Sequence, residues 1–269
     1  MNFKCIDMHC HVFPEKVAAK AVDFLQNYYG FAWEGNGLVT DLLAQNSRAD
    51  IVRNIIFSTA TKPEQVTVIN DYIAALVRQN PEQFSGFGTI HRDFERPEEE
   101  LMRIPELGLC GLKLHPDFQF FAADDPGMFP VYRQAEELGL AVLIHAGDPE
   151  SDFSRPRRIA RIAEKFPRLK LIAAHLGGYT AWDEALDCLI GTRVYIDTSS
   201  AIPFAGKELA RILIQKHGTD RVLFGSDYPS VYPATALRQL QELELPQEDM
   251  EKICFRNAQQ LFGLPETGA

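Results

Sequence analysis

Short, nearly continuous apolar runs recur along this chain, and the stretches between them carry the apolar spacing of amphipathic helices. The runs are Cys5–His11, Ile51–Ala60, Phe84–His91, Cys110–His115, Ala141–His145, Leu169–His175, Val194–Thr198 and Val222–Asp227. Most lack polar/apolar alternation, as expected of parallel strands covered on both faces. The helical stretches carry their own punctuation. Thr61-Lys62-Pro63-Glu64 reads as a capping box with proline near the first turn, opening a helix that runs to about Gln79. Gly108, Gly139 and Gly218 fall where helices should stop, each shortly before a strand. The repeated Glu-Leu-Gly-Leu at Glu106–Leu109 and Glu137–Leu140 marks two helix-to-strand turns of one kind. A helix from about Gln247 to Phe262 closes the pattern. The irregular stretch from about Tyr28 to Leu38, with Trp33, reads as a lid near the first strand.

Eight alternating strand–helix units with no linker or low-complexity stretch predict a single (β/α)8 TIM barrel, one domain over residues 1–269. A doubly wound open sheet is the competitor, and no G-x-G-x-x-G follows the first strand to support it.

Composition narrows the partners. A chain of 269 residues, 46% hydrophobic, can bury a large core. The net charge of −10 argues against nucleic acid and anionic membranes, which need clustered positive charge. No apolar run is long enough to span a bilayer, and no signal peptide is visible. The five cysteines are widely spaced without a C-x-x-C, which suggests reduced thiols and a cytoplasmic protein.

The polar residues at the strand ends carry the chemistry. His9 and His11 lie at alternate positions, so a strand projects both imidazoles to one side. Asp7 shares that parity and should face inward below them, while Cys10 turns away and packs. An H-x-H alone is weak. It gains force because later strands end in Lys113 and His115, His145, His175 and Asp227, and the strand C-termini of such a barrel form its active face. Histidines with an aspartate suit a borderline divalent ion with one open position. Each residue also has a bland reading: His145 as a core histidine, His175 as support for Gly177-Gly178, Asp227 as a turn cap. His91 and Arg92 read equally as residues at the pocket mouth or as a solvated loop, Arg155, Arg157 and Arg158 as an exposed first helical turn with collection of an anionic substrate as the alternative, and His217 as a cation favoured by a helix C-terminus.

The motifs Asp7-Met8-His9-Cys10-His11, Gly111-Leu112-Lys113-Leu114-His115-Pro116, His145-Ala146-Gly147, His175-Leu176-Gly177-Gly178 and Gly225-Ser226-Asp227-Tyr228-Pro229 together resemble the amidohydrolase superfamily. Within it they resemble the amidohydrolase-related branch that includes carboxymuconate-semialdehyde decarboxylase-like enzymes. That resemblance implies His9, His11 and His145 as metal ligands, with Asp227 completing the shell or bonding a metal-bound water. It also implies His175 as electrostatic partner or general acid/base. Asp227 and His175 are then the catalytic pair; Lys113 and His115, which share one strand face, read as substrate contacts, with a structural role as the alternative. One Zn2+ is expected, with two held through a carbamylated Lys113 as the alternative.

The leading expectation is a hydrolase using a Zn2+-activated water on an amide, ester or lactone-type bond. The alternative is a non-oxidative decarboxylase of a small aromatic or unsaturated acid, and a third reading is a non-catalytic metal-binding scaffold. The expected partner is a small molecule, with homodimers common among similar proteins.

Overall fold

Parallel strands pair in sequence order around the molecule: β1 (Cys5–His11), β2 (Ile51–Phe57), β3 (Phe84–Gly88), β4 (Gly111–Leu114), β5 (Ala141–Ile144), β6 (Lys170–Ala173), β7 (Tyr195–Asp197) and β8 (Val222–Leu223). The computed structural model describes residues 3–264. The ring closes between β8 and β1, where the Met8 amide donates to Phe224 O, Asp227 N to His9 O and His11 N to Tyr228 O. This is the (β/α)8 TIM barrel that the apolar runs predict.

Period-two alternation sorts the side chains into two layers. Leu112, Leu114, Val142 and Ile144 pack outward against the helices, while Leu143, Ile172, Phe57 and Phe87 fill the interior. Ala258 and Leu261, from the last helix, pack into the same interior cluster. Lys113, His115 and His145 continue the inward parity and rise above that plug.

Several strands are shorter than the apolar runs predict. β2 stops at Phe57, β3 at Gly88, β6 at Ala173 and β8 at Leu223. The backbone leaves the ladder before the polar residues arrive. His175, Leu176 and Asp227 take φ values of 58°, 52° and 67°, a region that residues other than glycine seldom adopt. His175 and Asp227 therefore sit on turns just past their strands.

Strand β1 also departs from strict alternation. Its register shifts between Asp7 and Cys10, so Ile6 and Met8 belong to the interior while Cys10 lies in the outer layer. Such a bulge lets Met8 and His9 both face inward. Asp7 is left with Cys10, where its carboxylate accepts from Ser226 N at 2.9 Å. It ties β1 to the turn after β8 and holds His9 through the backbone, its Oδ1 accepting from His9 N at 3.2 Å.

The predicted capping signal at Thr61 acts through Gln65, whose Oε1 accepts from the Thr61 and Lys62 amides. One 3-10 turn, Pro63–Gln65, precedes the helix Val66–Gln79. The C-terminal helix is interrupted by a π-helical segment, Lys252–Arg256, between Gln247–Glu251 and Asn257–Phe262. Within that segment the Ile253 carbonyl accepts from Phe224 N, stitching the helix to the end of β8. Tyr28 and Tyr29 belong to the helix Glu15–Tyr29, so the predicted lid starts at Gly30. It is pinned to the turn after β8 by Glu34 N donating to Ser230 O and Gly35 N to Pro229 O. Among the described residues no helix is long and apolar enough to cross a membrane, and the five cysteines are free thiols.

Candidate active site

The strand-end residues meet at the C-terminal mouth of the barrel. His9 Nε2 lies 3.3 Å from His11 Nε2, 3.3 Å from Asp227 Oδ1 and 3.1 Å from Lys113 Nζ. On the other side His175 Nε2 lies 2.9 Å from His145 Nδ1. His9, His175 and Asp227 each offer an atom within 4.8 Å of the others. His11 extends this group on the Asp227 side, 3.6 Å from Oδ1, and His145 extends it beyond His175.

What stands behind these rings decides what they present. Asp197 Oδ2 accepts from His9 Nδ1 at 2.8 Å, and both side chains are fully buried. The Ser199 carbonyl accepts from His175 Nδ1 at 2.8 Å. Each ring therefore carries its proton on Nδ1 and turns the Nε2 lone pair inward. Asp197 Oδ1 also accepts from the amides of His175 and Ser199, so one carboxylate braces both sides of the site. Ser200 Oγ donates to Asp227 Oδ2 at 2.8 Å and leaves Oδ1 facing the imidazoles. Gly225 makes room for this arrangement, since a Cβ there would stand 2.9 Å from His9 Cβ.

Burial dominates the electrostatics. It lowers His145 and His175 to about 3, which keeps both imidazoles neutral. It pushes Lys113 down to about 8 against the pull of Asp197 and Asp227, and raises Asp227 to about 7 against the Ser200 hydrogen bond. Neutral, inward-facing imidazole nitrogens beside a carboxylate oxygen are the donor set of a divalent first-row ion. His145 Nε2 and Asp117 Oδ2 are buried without hydrogen-bond partners, and with His115 they form a second close group.

The predicted Lys113–His115 pair is split. His115 lines the pocket, stacks on His145 with centroids 3.9 Å apart, and shares a 3.2 Å contact between its Nε2 and the Tyr29 hydroxyl. Lys113 is fully buried below the imidazoles and is not part of the pocket wall. His91 and Arg92 stay outside the pocket, Arg92 pairing with Asp125 at 3.0 Å. Arg155 and Arg157 both grip Glu184, and Arg158 pairs with Asp124 and Asp152. His217 is no surface cation: burial lowers it to about 4, its Nδ1 accepts from Gly191 N and its Nε2 donates to Val194 O.

An amidohydrolase family profile matches residues 6–264, nearly the whole chain and every residue of this site. The chain belongs to the amidohydrolase family. Among curated proteins it is 25% identical over 255 residues to 2-amino-3-carboxymuconate-6-semialdehyde decarboxylase of Dictyostelium discoideum, covering 78% of this chain and 70% of the relative. It is 24% identical over 282 residues to gamma-resorcylate decarboxylase of a Polaromonas species, covering 85% and 84%. Among solved structures, a dihydroxybenzoic acid decarboxylase from Polaromonas, with bound manganese and 2-nitroresorcinol, superposes with a TM-score of 0.75 at 18% identity over 98% of both chains.

These relatives overturn the expectation of a hydrolase. The family name points to hydrolysis, but both curated relatives are named decarboxylases. Strand-end histidines cannot make that distinction, because the same ligand set can activate a water or orient a carboxylate. Within this amidohydrolase the sequence reading also passed over Asp197 and Ser200. Asp197 lies one residue before the end of the seventh apolar run, Val194–Thr198, and its carboxylate in that run is the available signal; in the structure it ends β7. Ser200 has φ 43° on the following turn, a contact with no sequence signature.

Proposed function

We propose that this amidohydrolase is a metal-dependent, non-oxidative decarboxylase of a small aromatic or unsaturated carboxylic acid. The observation that carries the reading is the array of neutral imidazoles and Asp227 at the floor of a cavity, in a chain whose curated relatives are named decarboxylases. His9, His11, His145 and Asp227 would hold one divalent ion, with His175 Nε2 beside them. The nitrogen-rich set favours zinc, while the Polaromonas structure has manganese. Bound there, the ion would fix the substrate's carboxylate and draw off negative charge as the carbon–carbon bond weakens.

The chain's own groups do the rest. Asp227, raised to about 7 by burial and anchored through Oδ2 by the Ser200 hydroxyl, carries a proton and delivers it to the substrate carbon. The bond to the carboxylate breaks, its electron pair stays on that carbon, the proton takes the vacated position, and carbon dioxide leaves. Lys113 supplies positive charge beneath the carboxylate, 3.1 Å from His9 Nε2. His115 and the Tyr29 hydroxyl hold the substrate's polar edge, and the aromatic wall keeps water from the carbon being protonated.

Product analysis tests this. Metal-loaded protein is offered 2,6-dihydroxybenzoate and related acids, and products are followed by mass spectrometry. Loss of the carboxylate with matching carbon dioxide supports the reading. A product that has gained water with no carbon dioxide overturns it.

A further inference from the structure

Above the donor atoms the pocket is larger and more apolar than a single-ring acid needs. Its volume is about 660 Å³, within the range of cavities that enclose drug-sized ligands. Helix Glu15–Tyr29 supplies much of the wall through a second apolar face. Ala18 and Val22 of that helix are buried, while Val17, Ala21, Phe24 and Leu25, at helical spacing, line the pocket instead. Val68 and Phe120 continue the wall to the rim.

Two features of this wall bear on the substrate. First, Val17, Phe24, Val68 and Phe120 are 47, 59, 68 and 78% exposed, and all four line this one cavity. Large apolar side chains left in water gather here because something apolar covers them in use. They are continuous with the interior of the pocket, so the covering group enters from the floor outward. Second, the ionisable groups sit at the two ends. His11, His145, His175 and Asp227 occupy the floor, Lys62 and Glu64 lie together on the exposed rim, and no arginine lines the pocket among the described residues. A second carboxylate midway along the substrate would be desolvated against Phe24 and Leu25 with no cation to meet it.

We propose, resting on the decarboxylase reading above, that the substrate is a monocarboxylic acid whose reacting ring or alkene carries a long, uncharged apolar substituent. The carboxylate sits at the imidazoles, and the substituent runs along helix Glu15–Tyr29 to the rim formed by Val68 and Phe120.

The test uses the metal-loaded full chain and 2,4-dihydroxybenzoates carrying a methyl, pentyl or nonyl chain at C6, with a doubly carboxylated methyl compound as the control. Binding is read from tryptophan fluorescence, Trp33 being part of the wall, and carbon dioxide is measured in parallel. Each methylene should tighten binding by about threefold to fourfold until the chain clears the rim, as burial of a methylene predicts. The doubly carboxylated acid should bind more weakly than its parent, and Val68→Asp should flatten the chain-length series. A flat series in the unaltered protein, or tighter binding of the doubly carboxylated acid, overturns the inference. So does a flat series in a protein that sediments as a dimer released by Val68→Asp, since the apolar rim would then belong to a second copy of the chain. Carbon dioxide released with a flat series leaves the reaction standing and the substrate class wrong. A rising series without carbon dioxide leaves the ligand class standing and the reaction wrong.

Discussion

On the floor of the pocket each working side chain is held from behind: His9 by Asp197, His175 by the Ser199 carbonyl, Asp227 by Ser200. On the wall, Phe24, Val68 and Phe120 stand more than half in solvent with no polar partner to fix them. The difference separates two tasks. The work proposed for the floor, holding a cation and moving a proton, needs fixed tautomers and fixed distances, which buried hydrogen bonds supply. A wall that only covers an apolar body needs area and shape. Chemistry should therefore fail sharply when the floor is altered, and substrate choice should drift when the wall is.

The largest effect expected is from removing metal. Dialysis against a chelator should take decarboxylation to background, and adding Zn2+ or Mn2+ back should restore it. Unchanged turnover after complete stripping, verified by elemental analysis, would break the floor's side of the comparison. Next comes His9→Ala, which should lose bound metal and lower kcat by on the order of a thousandfold, since metal stabilisation of developing charge supplies several kcal/mol. His145→Ala should behave alike with a folded barrel by circular dichroism, and full metal occupancy in both variants would refute the ligand assignment.

Asp197→Asn should act more gently. It keeps the shape but removes the charge that fixes His9, so metal affinity should drop about tenfold to a hundredfold. Metal affinity equal to that of the unaltered protein would show that Asp197 only braces the fold. The smallest effect belongs to the wall. Phe24→Ser should raise KM by roughly threefold to tenfold for an apolar substrate, in line with lost apolar burial, while stability stays within about 0.5 kcal/mol. A fall in kcat with unchanged KM would erase the distinction between floor and wall.

The same contrast governs what could be read from the sequence. The barrel and the floor were legible because continuous apolar runs mark buried parallel strands, and a polar residue ending such a run stands out. His9, His11, His115, His145, His175 and Asp227 were all found this way, and the structure brings them together at one mouth. Strand ends were misjudged because His175 and Asp227 lie on left-handed turns, whose backbone no local pattern announces. Asp7 departs from the parity of His9 because the register of β1 shifts between Asp7 and Cys10. Lys113 and His115 share a strand face yet differ in height, which depends on how far a long side chain reaches into the barrel. The wall carries no sequence mark: Val17, Phe24 and Val68 sit among ordinary helical spacing, and only the fold places them at a pocket rim. Reaction type lies beyond the residues altogether, and the proposed decarboxylation rests on what the relatives are named.

The central claim, that this floor replaces a carboxylate by a proton, is tested most directly in deuterium oxide. Metal-loaded protein is given a ring-carboxylated acid, and the product is examined by mass spectrometry and NMR. One deuterium at the carbon that lost its carboxylate, absent from chelator-stripped protein and from His9→Ala, is the predicted result. A product that keeps its carboxylate and gains oxygen from solvent would contradict the account.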